Sequence, residues 1–186
     1  MKKIMYFILV SLAFFTGFNA QAEENNMEQK KALVAYFSAT GTTAEVAKNL
    51  AQAIDADLFE IKPQQPYTAA DLNWRDENSR SSVEMKDKTS RPEIETKVED
   101  MSKYDVVFVG FPIWWYREPS IIDTFVESYD FSGKVIVPFA TSGGSGMGDS
   151  GKNIQELAPK AKVFAGERFS AKVSAEELKK WAGSWL

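Results

Sequence analysis

The chain has 186 residues, 26 acidic against 22 basic side chains for a net charge of -4, and neither histidine nor cysteine. Without histidine there is no Ser-His-Asp triad and no ordinary zinc site; without cysteine there is no disulfide, thiol nucleophile or lipid-anchored cysteine. The acidic balance disfavours nucleic acid and anionic membrane surfaces as partners.

Lys2 and Lys3 lead into an apolar run over residues 4–18, and Ala20-Gln21-Ala22 supplies the small-x-small pattern of a cleavage site. The run falls short of the roughly 20 residues that cross a bilayer. Residues 1–22 are therefore expected to be a signal peptide, giving an exported chain, periplasmic or secreted, with no stable membrane span after cleavage. Cleavage removes two lysines and takes the net charge from -4 to -6. Residues 23–30 are polar and lack apolar periodicity, which predicts a flexible tether before a single domain over residues 31–186.

Within that domain short apolar strands alternate with helical stretches. Residues 31–37 (KALVAYF) predict a strand, and Val46, Leu50 and Ile54 have helical spacing within residues 42–54. Strands follow over 58–62 and 106–110, a helix over 120–128, a strand over 134–140, a helical core over 153–157 and a strand over 163–169. Ser174 and Glu177 form a capping box that opens the last helix. Such alternation predicts an α/β domain with a parallel sheet. The interval over 63–101 is too long for one helix. Its polar centre predicts a shortened or displaced helix with an extended loop, in which Arg75, Arg80, Lys86, Lys88 and Arg91 interleave with acids as solvated charges.

Three loops carry the chemistry. Ser38-Ala39-Thr40-Gly41-Thr42-Thr43 lies between the first strand and the first helix. Free N–H groups and about half a positive charge at a helix start suit a phosphate, with hydroxyls as extra donors. The same residues also make an ordinary capped helix after a glycine turn. Pro112-Ile113-Trp114-Trp115-Tyr116 follows the third strand and offers aromatic walls to a flat ligand, or a cap on the core. Thr141-Ser142-Gly143-Gly144-Ser145-Gly146 follows the fourth strand; its bare backbone suits the polar edge of a heterocycle, or a flexible surface loop. Residues 146–151 also fit G-x-G-x-x-G, but too far after the strand to read as a dinucleotide fingerprint. With strand order 2-1-3-4-5, all three loops emerge at the carboxyl ends of the strands, where ligands of open α/β sheets bind.

Taken together these loops resemble the flavodoxin family. The resemblance implies a flavodoxin-like three-layer sandwich around a five-stranded parallel sheet of order 2-1-3-4-5, with FMN as cofactor. By resemblance Ser38, Thr40, Gly41, Thr42 and Thr43 bind the FMN phosphate, while Trp114, Trp115, Tyr116, Gly143, Gly144 and Ser145 border the ring, within loops 112–116 and 141–146. It further implies electron transfer with a redox partner protein or a small-molecule acceptor. The Pro112-Ile113-Trp114-Trp115 run followed by Pro119 is also similar to quinone reductases of the same fold, so an NAD(P)H:quinone-type reductase is a second expectation. A binding module that has lost its flavin is a third.

Overall fold

The computed structural model describes residues 30–186, so the expected signal peptide over 1–22 and all of the tether but Lys30 lie outside the described residues. Chain order is β1 (Ala32–Tyr36), α1 (Thr42–Ile54), β2 (Asp57–Glu60), α2 (Arg80–Lys86), β3 (Val106–Pro112), α3 (Ser120–Glu127), β4 (Val135–Thr141), α4 (Ser150–Leu157), β5 (Lys162–Val163), β6 (Glu167–Phe169) and α5 (Ala175–Ala182). All strand pairs are parallel, in the order β2-β1-β3-β4-β5, with β6 also on β4.

The two-residue period of a strand divides the core. Leu33, Ala35, Val107 and Val109 face a layer built on α3 and α4, including Ile121, Phe125 and Ile154. Their neighbours Val34, Val106 and Phe108 face Val46 and Leu50 of α1 and Leu178 of α5. β1 and β3 are thus buried on both faces, which explains their nearly continuous apolar sequence. This is the expected three-layer sandwich.

The fifth strand departs from its expected form. Residues 163–169 do not make one strand; β5 and β6 share the fifth position, separated by residues 164–166. The cause lies in β4. The carbonyls of Lys134 and Ile136 accept from the N–H groups of Lys162 and Phe164, so alternate residues of β4 face the fifth position. Pro138 is next in that alternation and has no N–H to give. There Gly166 turns with φ 80°, and a Cβ on it would lie 2.3 Å from the Pro138 carbonyl oxygen.

The interval 63–101 holds the seven-residue α2, capped by Ser79, and an antiparallel bridge between Pro63 and Ile94, and it ends at a 3-10 turn over Met101–Lys103. Two of its basic residues are fasteners and not merely solvated charges. Arg80 pairs with Glu84 at 2.6 Å and lies 4.1 Å from the Tyr67 ring centre. Arg91 makes a two-pronged bond to Glu127 of α3, at 2.7 and 2.8 Å. Arg80 thus ties the segment to itself, and Arg91 ties it to the end of α3.

Candidate functional site

The first loop turns at Gly41, whose φ of 90° puts it in the left-handed region, and its N–H is held by Ser38 Oγ at 3.1 Å. No side chain caps α1, so the first N–H groups of that helix are left for another acceptor. Thr40, Gly41 and Thr42 are exposed beside them. Thr43 differs: it is buried, and its hydroxyl lies 2.8 Å from that of Thr141, also buried. That pair stitches the first loop to the end of β4. No lysine or arginine lies between Ser38 and Thr43, so an anion there would be held by backbone N–H groups, the helix dipole and neutral hydroxyls.

The second loop is a tight turn with Trp115 and Tyr116 at its tip. Trp114 N–H donates to Arg117 O at 2.9 Å and Arg117 N–H donates to Trp114 O at 3.0 Å. Trp115 and Tyr116 both have positive φ, 44° and 64°. Neither is glycine, so this conformation costs about 1–2 kcal/mol per residue and persists only because its surroundings impose it. Two of those surroundings are visible. Asp149 N–H donates to the Tyr116 carbonyl at 3.2 Å, and Gly148 packs against that carbonyl so closely that a Cβ would sit 1.7 Å from it. The turn divides the three aromatics. Trp114 is half-buried, edge-on to Phe37 and Tyr67 with ring centres 5.6 and 5.4 Å away. Trp115 and Tyr116 are 44% and 72% exposed.

In the third loop the Ser142 hydroxyl donates to Ser145 O and accepts from Gly144 N–H. A Cβ added to Gly143, Gly144 or Gly146 would meet nothing within 4 Å, and none of the three has positive φ. Neither packing nor backbone conformation therefore demands glycine there. What these glycines provide is unobstructed backbone.

A cavity of about 550 Å³ brings together Thr40, residues 112–116 and Ser145 of the expected site. Ser38 and residues 41–43 stand at the helix start without lining it, as do residues 141–144 and Gly146 in the third loop. Three lining residues, Leu72, Trp74 and Ser81, come from the 63–101 segment and were not expected. Trp74, 67% exposed, carried a signal as a lone large aromatic in a polar stretch; Leu72 and Ser81 carried none.

Also unexpected is a buried charged cluster behind the second loop. Glu118 is wholly buried, Asp123 nearly so, and Arg117 Nη2 bridges them, 3.2 Å from Glu118 and bonded to Asp123 Oδ2. Asn153 of α4 donates to both Glu118 oxygens, at 3.1 and 3.4 Å. Burial pushes the Glu118 carboxyl up to about 7, with the backbone and Arg117 opposing and Asp123 assisting. Burial also raises the Asp123 carboxyl, against the pull of Arg117. Among the described residues there is no cluster of acids suited to a metal ion, and no helix is long and apolar enough to cross a membrane.

No curated protein matches the chain. Among solved structures it is similar to candidate flavoproteins of Bacteroides eggerthii and Bacteroides uniformis. The first is 47% identical with a TM-score of 0.79, covering 84% of this chain and 98% of that one. The second is 49% identical with a TM-score of 0.78, covering 83% and 98%. A flavoprotein of Lactobacillus acidophilus, solved in complex with FMN, shares the fold at 24% identity and a TM-score of 0.62, covering 82% and 99%. The family described as flavodoxin matches residues 31–184, nearly the whole described chain. Sheet order, loop placement and family match agree, and the chain belongs to the flavodoxin family.

Proposed function

We propose that this chain binds one FMN across the three loops and passes electrons between that flavin and a redox partner. One observation carries the reading: the cation-free, uncapped start of α1 lies beside an aromatic-walled cavity at the carboxyl ends of β1 and β3, the point where the strand order reverses. The residues fit the group. Backbone N–H groups at the α1 start, with the Thr40 and Thr42 hydroxyls, suit a phosphate. Trp115 and Tyr116 suit the ring face, and the unobstructed 143–146 backbone suits its polar edge. The FMN complex of the Lactobacillus acidophilus protein supports the choice of ligand.

The flavin, when bound, supplies the electron-transfer chemistry. The chain positions and insulates it. Trp114, fixed by Phe37 and Tyr67, forms the rigid floor of the cavity, while the strained turn presents Trp115 and Tyr116 at its rim. Net negative charge disfavours added electrons and so lowers the potential.

A reductase of the NAD(P)H:quinone type is the second reading. The observation in its favour is that the cavity continues past the ring loops to Leu72 and Trp74, an apolar wall for a second flat molecule. Steady-state NADH and NADPH oxidation with quinone acceptors separates the two. The carrier reading expects turnover slower than about 1 s⁻¹ without a protein partner, below the ordinary range of enzymes. Fast turnover with a small quinone would replace it with the reductase.

A further inference from the structure

The Trp115–Tyr116 turn is closed by Arg117, and the same residue anchors the turn to two buried carboxyls. Its backbone N–H and C=O pair with Trp114, and its guanidinium bonds to Glu118 and Asp123. Both carboxyls contact the same guanidinium nitrogen, Arg117 Nη2, which sets them side by side. As two carboxylates they could not bond, and Asp123 Oδ1 is indeed one of only two buried side-chain oxygens without a partner among the described residues. A proton held by the pair gives it a donor and removes one of two like charges from a site with little solvent.

Charges facing the pair do not remove the need for that proton. Arg117 is shared between both acids, and Arg91 is 3.8 Å from Asp123 Oδ2 but spends its fork on Glu127. A second cavity of about 430 Å³, lined by Arg117, Asp123 and Asn153 but not by Glu118, and sharing Trp115 and Tyr116 with the first, brings water to the Asp123 side of the pair. Lys88, Asp149 and Glu156 line the same cavity from the 63–101 segment and from α4 and its cap. The lysine is balanced there by two acids.

We propose that Glu118 and Asp123 share one proton as a store behind the ring-site turn, coupling electron gain at the ring to proton gain at Glu118. This rests on the proposed FMN reading. As one electron reaches the ring from a reduced partner, one proton passes from water to the pair and closes an O–H bond on Glu118. On re-oxidation both leave. The pair thus offsets the charge that the ring gains, through Arg117 and across the turn.

The test has two arms. In the FMN-loaded full chain, the midpoint potential is measured from pH 5 to pH 9 for wild type and Glu118→Gln. Gln keeps the bond from Asn153 and the donor to Asp123 but cannot titrate. The expected result is an extra downward bend in the wild-type potential near neutral pH, lost in the variant, whose potential at pH 8 is the higher. In the ligand-free chain, infrared difference spectra are expected to show a protonated-carboxyl band titrating near neutral pH, absent from Glu118→Gln and shifted to lower pH in Asp123→Asn. Absence of the band in wild type overturns the store. A band with identical potential profiles in wild type and Glu118→Gln overturns the coupling. If FMN does not bind, the functional reading and the coupling fall together, while the infrared arm still judges the store.

Discussion

Gly148→Ala weakens flavin binding by at least about tenfold while leaving the sheet folded: that is the first expected result. A Cβ at this position would lie 1.7 Å from the Tyr116 carbonyl oxygen and 2.7 Å from its carbon, both backbone atoms that no rotamer change can move aside. The φ of 55° adds the left-handed penalty of about 1–3 kcal/mol for a non-glycine residue. The chain's cheapest relief is to release the second loop, because Trp115 and Tyr116 already sit in disfavoured backbone and lose their hold once Tyr116 O leaves Asp149 N–H. Binding should weaken by at least about tenfold, the equivalent of 1.4 kcal/mol, with far-UV circular dichroism unchanged. Gly148→Asn separates the two causes, since asparagine tolerates the φ but not the contact, and it should fail as badly. Gly144→Ala, with nothing within 4 Å, should keep the wild-type fold. Normal FMN affinity in Gly148→Ala would show that the turn does not form the ring site.

Arg117→Ala is expected to destabilise the chain by about 3–5 kcal/mol at pH 8 and far less at pH 5. Removing one partner of a buried ion pair leaves an uncompensated charge, and that sets the size of the loss. Here the charge left behind is carried by Glu118 and Asp123, and protons can replace the lost cation when they are abundant. The direction follows from the number of protons bound. Glu118 is raised from its ordinary 4.5 to about 7, so between those values the folded chain holds more protons than the unfolded one. Stability therefore falls as pH rises through that window and levels off above it, by roughly 3 kcal/mol at most from this group. Losing Arg117 raises both carboxyls further and steepens the fall. Urea denaturation of wild type and variant at pH 5 and pH 8 reads this directly. Equal losses at the two pH values would mean that packing, and not charge, is what Arg117 supplies.

The fold could be read from the sequence because its signals are local. Apolar runs marked β1, β3 and β4, the spacing of Val46 and Leu50 marked the buried face of α1, and Ser174 with Glu177 marked the start of α5, where the capping box is present. The three loops were legible for the same reason, lying directly after strands. What was hidden depends on distant partners. The break between β5 and β6 is caused by Pro138 on the neighbouring strand and by the approach of Gly166 to it. Thr43, grouped with the phosphate donors, is buried with its hydroxyl 2.8 Å from that of Thr141, 98 residues away. Left-handed turns at Trp115 and Tyr116 have no local mark, because the glycine that permits them is residue 148. Glu118 has the appearance of an ordinary loop charge beside arginine, and only the packing of α3 and α4 buries it.

Cavity residues from the 63–101 segment were out of reach for a further reason. Leu72 and Trp74 line the cavity from a segment whose Arg80 and Arg91 contacts join acids and an aromatic from both within and beyond it. Interleaved charge of that kind is indistinguishable in sequence from a solvated loop.

FMN and riboflavin titrations on the purified chain, followed by flavin fluorescence and absorbance, test the central claim most directly. The two ligands differ only in the phosphate, for which the α1 start, the left-handed Gly41 and the exposed Thr40 and Thr42 are the proposed receptor. The expected result is one FMN per chain with quenched flavin emission, and riboflavin weaker by at least about tenfold, as the loss of a charged group at a helix start implies. Equal affinity for both, or an unchanged spectrum with either, would contradict it.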